Sequence, residues 1–104
     1  MADTYKDIPL INNTDKGRFE MTVDGHLSIV EYKQVDDKIY VLHTEVPKEL
    51  EGKGVASALT EQVFTYIEQS RMKLVPYCPY TVAYLKRHPD WKRILVEGGE
   101  KYLH

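Results

Sequence analysis

The run from Ile39 to Ser70 reads IYVLHTEVPKELEGKGVASALTEQVFTYIEQS, and its reading decides the fold. The apolar start Ile39-Tyr40-Val41-Leu42 predicts a strand, and its apolar residues on both faces predict a central strand covered on both sides. Gly52-Lys53-Gly54 then interrupts the chain. Directly afterwards Val55, Ala56, Leu59, Val63, Tyr66 and Ile67 recur at three- and four-residue spacings. That spacing predicts an amphipathic helix over Val55–Ser70, so the order is strand, glycine turn, helix.

Such an order has a chemical use. A helix N-terminus carries unpaired N–H groups and the positive end of a dipole. Glycines just before it take up positive φ and let the backbone approach a ligand, which makes a site for phosphate or pyrophosphate. The alternative is that Gly52 and Gly54 only make a tight strand-to-helix turn. A P-loop is excluded, because Gly54 follows Lys53 where Ser or Thr is required and the upstream glycine is missing. The dinucleotide fingerprint G-x-G-x-x-G fails at Ser57, and the strands before it read as hairpins and not as a parallel unit.

Outward from this stretch, the first half reads as an antiparallel meander. Ile8-Pro9-Leu10-Ile11 predicts a short edge strand after a polar lead, Met1 to Asp7. Arg18 to Val23 alternates, with Phe19, Met21 and Val23 on one face. Asp24-Gly25 is a two-residue hairpin signal, and Leu27 to Gln34 returns with Ser28, Val30 and Tyr32 on one face. Val35 to Lys38 turns into the strand from Ile39. Beyond the helix, Lys73 to Tyr77 predicts a fifth strand, parallel to the fourth because a helix joins them. Pro79 suits the first turn of a second helix over Tyr80–Arg87, with Pro89 beyond its end. Trp91 to Val96 predicts a last short strand, and Gly98 to His104 a frayed tail.

Composition narrows the class. With 104 residues the chain is one domain, and 42% hydrophobic and 29% charged residues are ordinary for a soluble globule. A net charge of −2 gives no basic footprint for nucleic acid. The N-terminus lacks an apolar signal core, and no apolar run approaches the ~20 residues that span a bilayer. One cysteine excludes an internal disulfide and fits a reducing, cytoplasmic setting. His26, His43, His88 and His104 show no metal-ligand spacing.

The stretch resembles motif A of the GCN5-related N-acetyltransferases, a strand ending in valine, then [QR]-x-x-G-x-[GA], then a helix. Gly52 and Gly54 take the small positions and Val55-Ala56 continue the pattern, while Glu49 stands where Gln or Arg is usual. His43-Thr44-x-Val46-Pro47 with Gly52-Lys53-Gly54, and later Pro76-x-Cys78-Pro79, is similar to the very small, single-domain branch of that superfamily. The resemblance spans roughly Gly17 to Val96. It implies a minimal α/β fold over residues 1–104, with its core about 8–96: antiparallel meander, motif-A helix, parallel fifth strand, second helix. Larger relatives place two helices between strands 1 and 2. Only Asn12 to Gly17 is available for them here, so the acceptor groove is expected to be open, or completed by a protein partner or a second copy of the chain.

The resemblance also implies a chemistry: binding of acetyl-coenzyme A and transfer of its acetyl group to an amine. Backbone amides around Glu51, Gly52, Lys53, Gly54, Val55, Ala56 and Ser57 would cradle the pyrophosphate, with the Lys53 charge at the rim or simply solvated. Thr44 and Val46 end the fourth strand, which in the family splays from the fifth. The pantetheine arm lies in that gap, and Val46 aligns with the residue whose N–H holds the thioester carbonyl. Glu45 is the candidate general base, or an ordinary exposed strand-end carboxylate. His43 shares its face by two-residue alternation.

Cys78 stands at the start of the second helix, where the dipole favours thiolate. It is read as a covalent acetyl acceptor, as a residue lining the channel, or as a small buried side chain. Tyr84 resembles the tyrosine that returns a proton to the coenzyme A thiolate; Tyr80 competes for that role, and a core position is the alternative. Two rival functions remain open, a non-catalytic acyl-coenzyme A binding module and an adaptor that binds a partner through the tyrosine-rich C-terminal half.

Overall fold

The structure is a computed structural model that describes residues 5–104; the start of the polar lead, residues 1–4, lies outside the described residues. Strands β1 (Ile11–Asn13), β2 (Arg18–Val23), β3 (His26–Val35) and β4 (Lys38–Glu45) form the expected antiparallel meander. Helix α1 (Val55–Gln69) then crosses to β5 (Lys73–Pro76), which pairs parallel to β4. The sheet runs in chain order, β1-β2-β3-β4-β5. Helix α2 (Pro79–Arg87) follows, with Pro79 in its first turn.

Alternation sorts the residues. Phe19, Met21, Val23, Val30, Tyr32, Ile39 and Val41 face α1 and are buried. Leu59, Val63 and Ile67 recur one turn apart on α1 and are fully buried against them. Phe19 and Tyr32 stack at 4.5 Å across β2 and β3, an offset pairing that adds to the area both bury. From the other side Tyr84 and Leu85 of α2 join the same core, with Phe64 of α1 meeting the Tyr84 and Trp91 rings edge-on at 5.7 and 5.4 Å.

The sequence-based expectations change at four places. The first strand is Ile11–Asn13 and not Ile8–Ile11. The Gln62 amide on α1 donates to Tyr5 O at 3.2 Å and Ile8 O at 2.7 Å, so that backbone is tied to the helix. Pro9 moreover has no N–H to give a strand. Trp91–Val96 is not a strand: Pro89–Ile94 is a 3-10 helix, followed by a single parallel bridge between Leu74 and Leu95. Arg93 holds that turn to α1 through Glu68 at 2.5 and 3.0 Å. The C-terminal residues do not fray either, for Gly99–Leu103 forms a further 3-10 turn whose Leu103 is buried in the core.

The fourth change concerns β4. Its outer face is covered only in part: Tyr40 is half-buried beside Tyr77, whose ring meets Tyr102 of the last 3-10 turn, while Leu42 is 43% exposed. Between β1 and β2 only a short turn intervenes, with Lys16 N bonded to Asn13 O and Gly17 N to Thr14 O, and no helix. Among the described residues no helix is long and apolar enough to cross a membrane.

Leu59 sits where α1 presses on the sheet. Leu59→Ala should lower stability by about 2–5 kcal/mol in chemical denaturation. A midpoint equal to the parent's would mean that α1 does not pack as described.

Candidate functional site

The site begins where two strands part. Tyr40 pairs Val75 and Val41 pairs Pro76, and there the β4–β5 ladder ends. The Val41 carbonyl accepts from both Tyr77 N at 3.0 Å and Cys78 N at 2.9 Å, so β5 is drawn into α2 at that point. On the other side of β4 the register also changes: Tyr32 opposes Val41, but Glu31 opposes His43. Leu42 is the residue left over, a β-bulge that bends its strand and re-aims the side chains after it. Thr44 then opposes the buried Val30 and faces the helices, whereas His43 and Glu45 face outward beside Glu31 and Ile29.

Beyond the parting point lies the glycine turn. Gly52 and Gly54 have φ of 77° and 80°, and a Cβ at either would meet nothing within 4 Å. Both glycines therefore serve backbone shape and leave the space above the helix start clear. Helix α1 has no side-chain cap, and its first internal bond is Ala58 N to Gly54 O at 3.1 Å. The N–H groups of Val55, Ala56 and Ser57 accordingly lack intrahelical acceptors. They open on a cleft of about 220 Å³ lined by Val46, Leu50, Glu51, Gly52, Gly54, Val55, Ala56, Ser57 and Tyr80. Leu50 is buried and pins the loop from below. Lys53 stands outside the lining, exposed at the rim.

Cys78 is the N-cap residue of α2 and is 3% exposed. Its Sγ lies 3.5 Å from Thr44 Oγ1, the inward-facing residue that follows the bulge. Burial pushes the thiol up, but hydrogen bonds from Thr44, Thr81 and the Tyr80 backbone outweigh it, and the net shift is downward. Thr81, one of three buried polar residues among the described residues, was not singled out from the sequence; a threonine in the first turn of a helix behind a cysteine is the signal that pointed to it.

The two tyrosines of α2 divide. Tyr84 is 1% exposed and donates its hydroxyl to the Glu61 carboxylate on α1. Burial first, and then that carboxylate, push its pKa up to about 12. Tyr80, one turn earlier, lines the cleft, and burial raises its pKa too. Glu45 is exposed on the outer face with His43 Nε2 3.4 Å from its Oε1, while Glu49 approaches His26 Nδ1 at 3.9 Å. Thus Thr44, Val46, Cys78 and the Glu51–Ser57 turn gather on the helix side of the strand gap, apart from Lys53 at its rim. Glu45 lies on the other side.

A larger hollow, about 390 Å³, runs along α1 over Asn12, Gln62 and Tyr66. Asn12, Gln62 and Tyr66 in it are already paired: Asn12 with Tyr66 and Tyr32, and Gln62 with the carbonyls of Tyr5 and Ile8. Among the described residues no group of three or more His, Cys, Asp or Glu could hold a metal ion.

The Thr44 contact predicts a measurable effect. Labelling of Cys78 by iodoacetamide should titrate below the usual thiol range, and Thr44→Val should move the midpoint upward. An unchanged midpoint in the variant would remove Thr44 from the control of the thiol.

Comparison with known proteins agrees with this architecture. The model of the GCN5-related N-acetyl-transferase family matches residues 18–94. The NMR solution structure of a GCN5-like protein from Staphylococcus aureus superposes with a TM-score of 0.66 at 22% identity, covering 86% of this chain and 89% of that one. At that identity the likeness speaks for the fold, while the family match spans well over half of the sequence and includes the glycine turn and Cys78. The chain belongs to the GCN5-related N-acetyltransferase family.

Proposed function

We propose that the chain binds acetyl-coenzyme A in the cleft at the start of α1 and transfers the acetyl group to an amine. The observation that carries this reading is the cleft itself, in which uncapped amides of Val55–Ser57 adjoin the gap that opens after Val41. A diphosphate fits that donor set, because three N–H groups and the helix dipole converge where the two glycines leave the space clear. When bound, acetyl-coenzyme A would supply an activated acyl thioester.

The chain's own residues then have distinct tasks. The amides from Glu51 to Ser57 hold the phosphates, and Lys53 adds charge at the rim. The edge of β4 freed after Val41 offers its backbone at Thr44 and Val46 to the pantetheine arm. The Val46 N–H polarises the thioester carbonyl. Glu45 takes the amine proton, directly or through water. A phenol of α2 returns a proton to the departing sulfur. Tyr80 has the shorter route to the cleft it lines, whereas Tyr84 must first give up its bond to Glu61. Cys78 either accepts the acetyl group or lines the channel. A cytoplasmic setting belongs to the same proposal.

A second reading, a non-catalytic acyl-coenzyme A binding module, draws on the near-complete burial of Cys78 and the engaged hydroxyl of Tyr84.

Calorimetry with coenzyme A and acetyl-coenzyme A, followed by a mass spectrum of the protein, tests both. The parent should bind, and Gly54→Asp, verified as folded by circular dichroism because its φ of 80° strains any side chain, should abolish binding: the added Cβ meets no atom within 4 Å, and the carboxylate repels the pyrophosphate. A folded variant that binds like the parent removes the glycine turn from the site. Coenzyme A should also slow alkylation of Cys78. An acetyl adduct absent from Cys78→Ala makes the thiol a covalent acceptor; turnover retained in that variant makes it a lining residue. Binding without turnover on any amine favours the module.

A further inference from the structure

The outer face of the sheet holds a concavity that the cofactor reading does not use. It measures about 290 Å³ and is lined by Lys33, Val35, Tyr40, Leu42 and Tyr77. Two of these residues are the ones that make the strand gap: Leu42 is the bulge, and Tyr77 N is bonded to Val41 O beside Cys78 N. The concavity therefore lies directly across the sheet from the Cys78–Thr44 contact. A group seated in it reaches the gap from the side opposite to the cleft.

Its walls have a definite chemistry. Tyr40 and Tyr77 meet edge-on at 5.5 Å, Tyr77 and Tyr102 lie 5.6 Å apart, and Leu42 and Val35 are 43% and 42% exposed. Such walls favour an apolar body, best a ring. The volume is that of a small-molecule body.

Charge is distributed along the groove. Toward the gap stand Glu45 and Glu31, flanking His43 on the same outward face. Glu45 follows Leu42 by three residues, about 10 Å of strand, within reach of a short tether from a ring. Away from the gap stands Lys33, in the lining and opposite Tyr40. One cation is thus attracted at the gap end and a second is repelled at the other.

We infer that this groove is the acceptor site, and that it takes a primary monoamine on an aromatic or branched apolar body whose far end is not cationic. The inference rests on the acetyltransferase reading and narrows its acceptor class. Polyamines are rejected at Lys33, and an unbranched lysine side chain gains less from the aromatic walls than a ring does. In the reaction the amine nitrogen bonds the acetyl carbon, the carbon–sulfur bond breaks, Glu45 takes the amine proton, and the thiolate of coenzyme A leaves.

The test is steady-state acetylation with acetyl-coenzyme A and three acceptors: 2-phenylethylamine, spermidine and a lysine peptide. Phenylethylamine should be the best acceptor. Tyr77→Ala, at a position 53% exposed where alanine keeps the backbone bond to Val41, and with its fold verified by circular dichroism, should raise its KM about tenfold and leave the KM for acetyl-coenzyme A unchanged. Lys33→Glu should improve spermidine relative to phenylethylamine. Spermidine or the peptide as the best acceptor of the parent overturns the inference, as does an unaltered phenylethylamine KM in Tyr77→Ala. Coenzyme A binding with no acetylation of phenylethylamine overturns it while the cofactor reading stands; absence of coenzyme A binding overturns that reading first. A change in sedimentation and not in KM on Tyr77→Ala assigns the face to a second copy of the chain and also overturns it.

Discussion

One carbonyl organises the functional half of this protein. Val41 O receives both Tyr77 N and Cys78 N, and with that double acceptance the parallel ladder between β4 and β5 stops. Immediately afterwards Leu42 is inserted as a bulge. Unbroken alternation from Val41 would turn His43 and Glu45 toward the core and Thr44 away from it. A carboxylate brought into that apolar interior would carry a heavy desolvation cost. The inserted residue instead sends Thr44 inward to Cys78 and His43 with Glu45 outward. A single extra residue thereby assigns the two sides of the sheet to two kinds of chemistry.

Much of this was legible in the sequence. Period-two alternation located Phe19, Met21 and Val23, the Asp24-Gly25 turn located the hairpin, and three-four spacing located α1 to within a residue. The glycine turn was legible because only positive φ explains two glycines flanking a lysine at a helix start. The bulge was not, because the string Val41-Leu42-His43 has no local mark for a pairing change; the partner strand β3 imposes it. The C-terminal turns were missed for a similar reason. Ile94-Leu95-Val96 reads locally as a strand and Tyr102-Leu103 is a lone apolar pair, and only the floor formed by α1, β5 and α2 gives Ile94 and Leu103 a place to bury.

With no helices between β1 and β2, much of the tertiary cohesion falls on α1. It carries Leu59, Val63 and Ile67 into the sheet, Phe64 into the Tyr84–Trp91 aromatic group, Gln62 to the N-terminal carbonyls and Glu68 to Arg93. Its N-terminus meanwhile remains uncapped and faces the cleft. The same helix is thus the main anchor of the fold and the donor of the amides at the candidate site, and it is held by its sides and its far end, not by the turn where a ligand would sit.

The coincidence of strand order with chain order has a kinetic consequence. Each of the first four strands meets its neighbour through a short turn, so loop closure costs little in the meander. The long closure among the five strands is the passage through α1 to β5. Topologies dominated by local pairings fold fast, and the sheet is expected to zip from hairpin to hairpin before α1 docks and brings β5 alongside β4. Val41 is where that last docking ends. The strand gap is then expected to take shape only after the meander that carries its β4 edge.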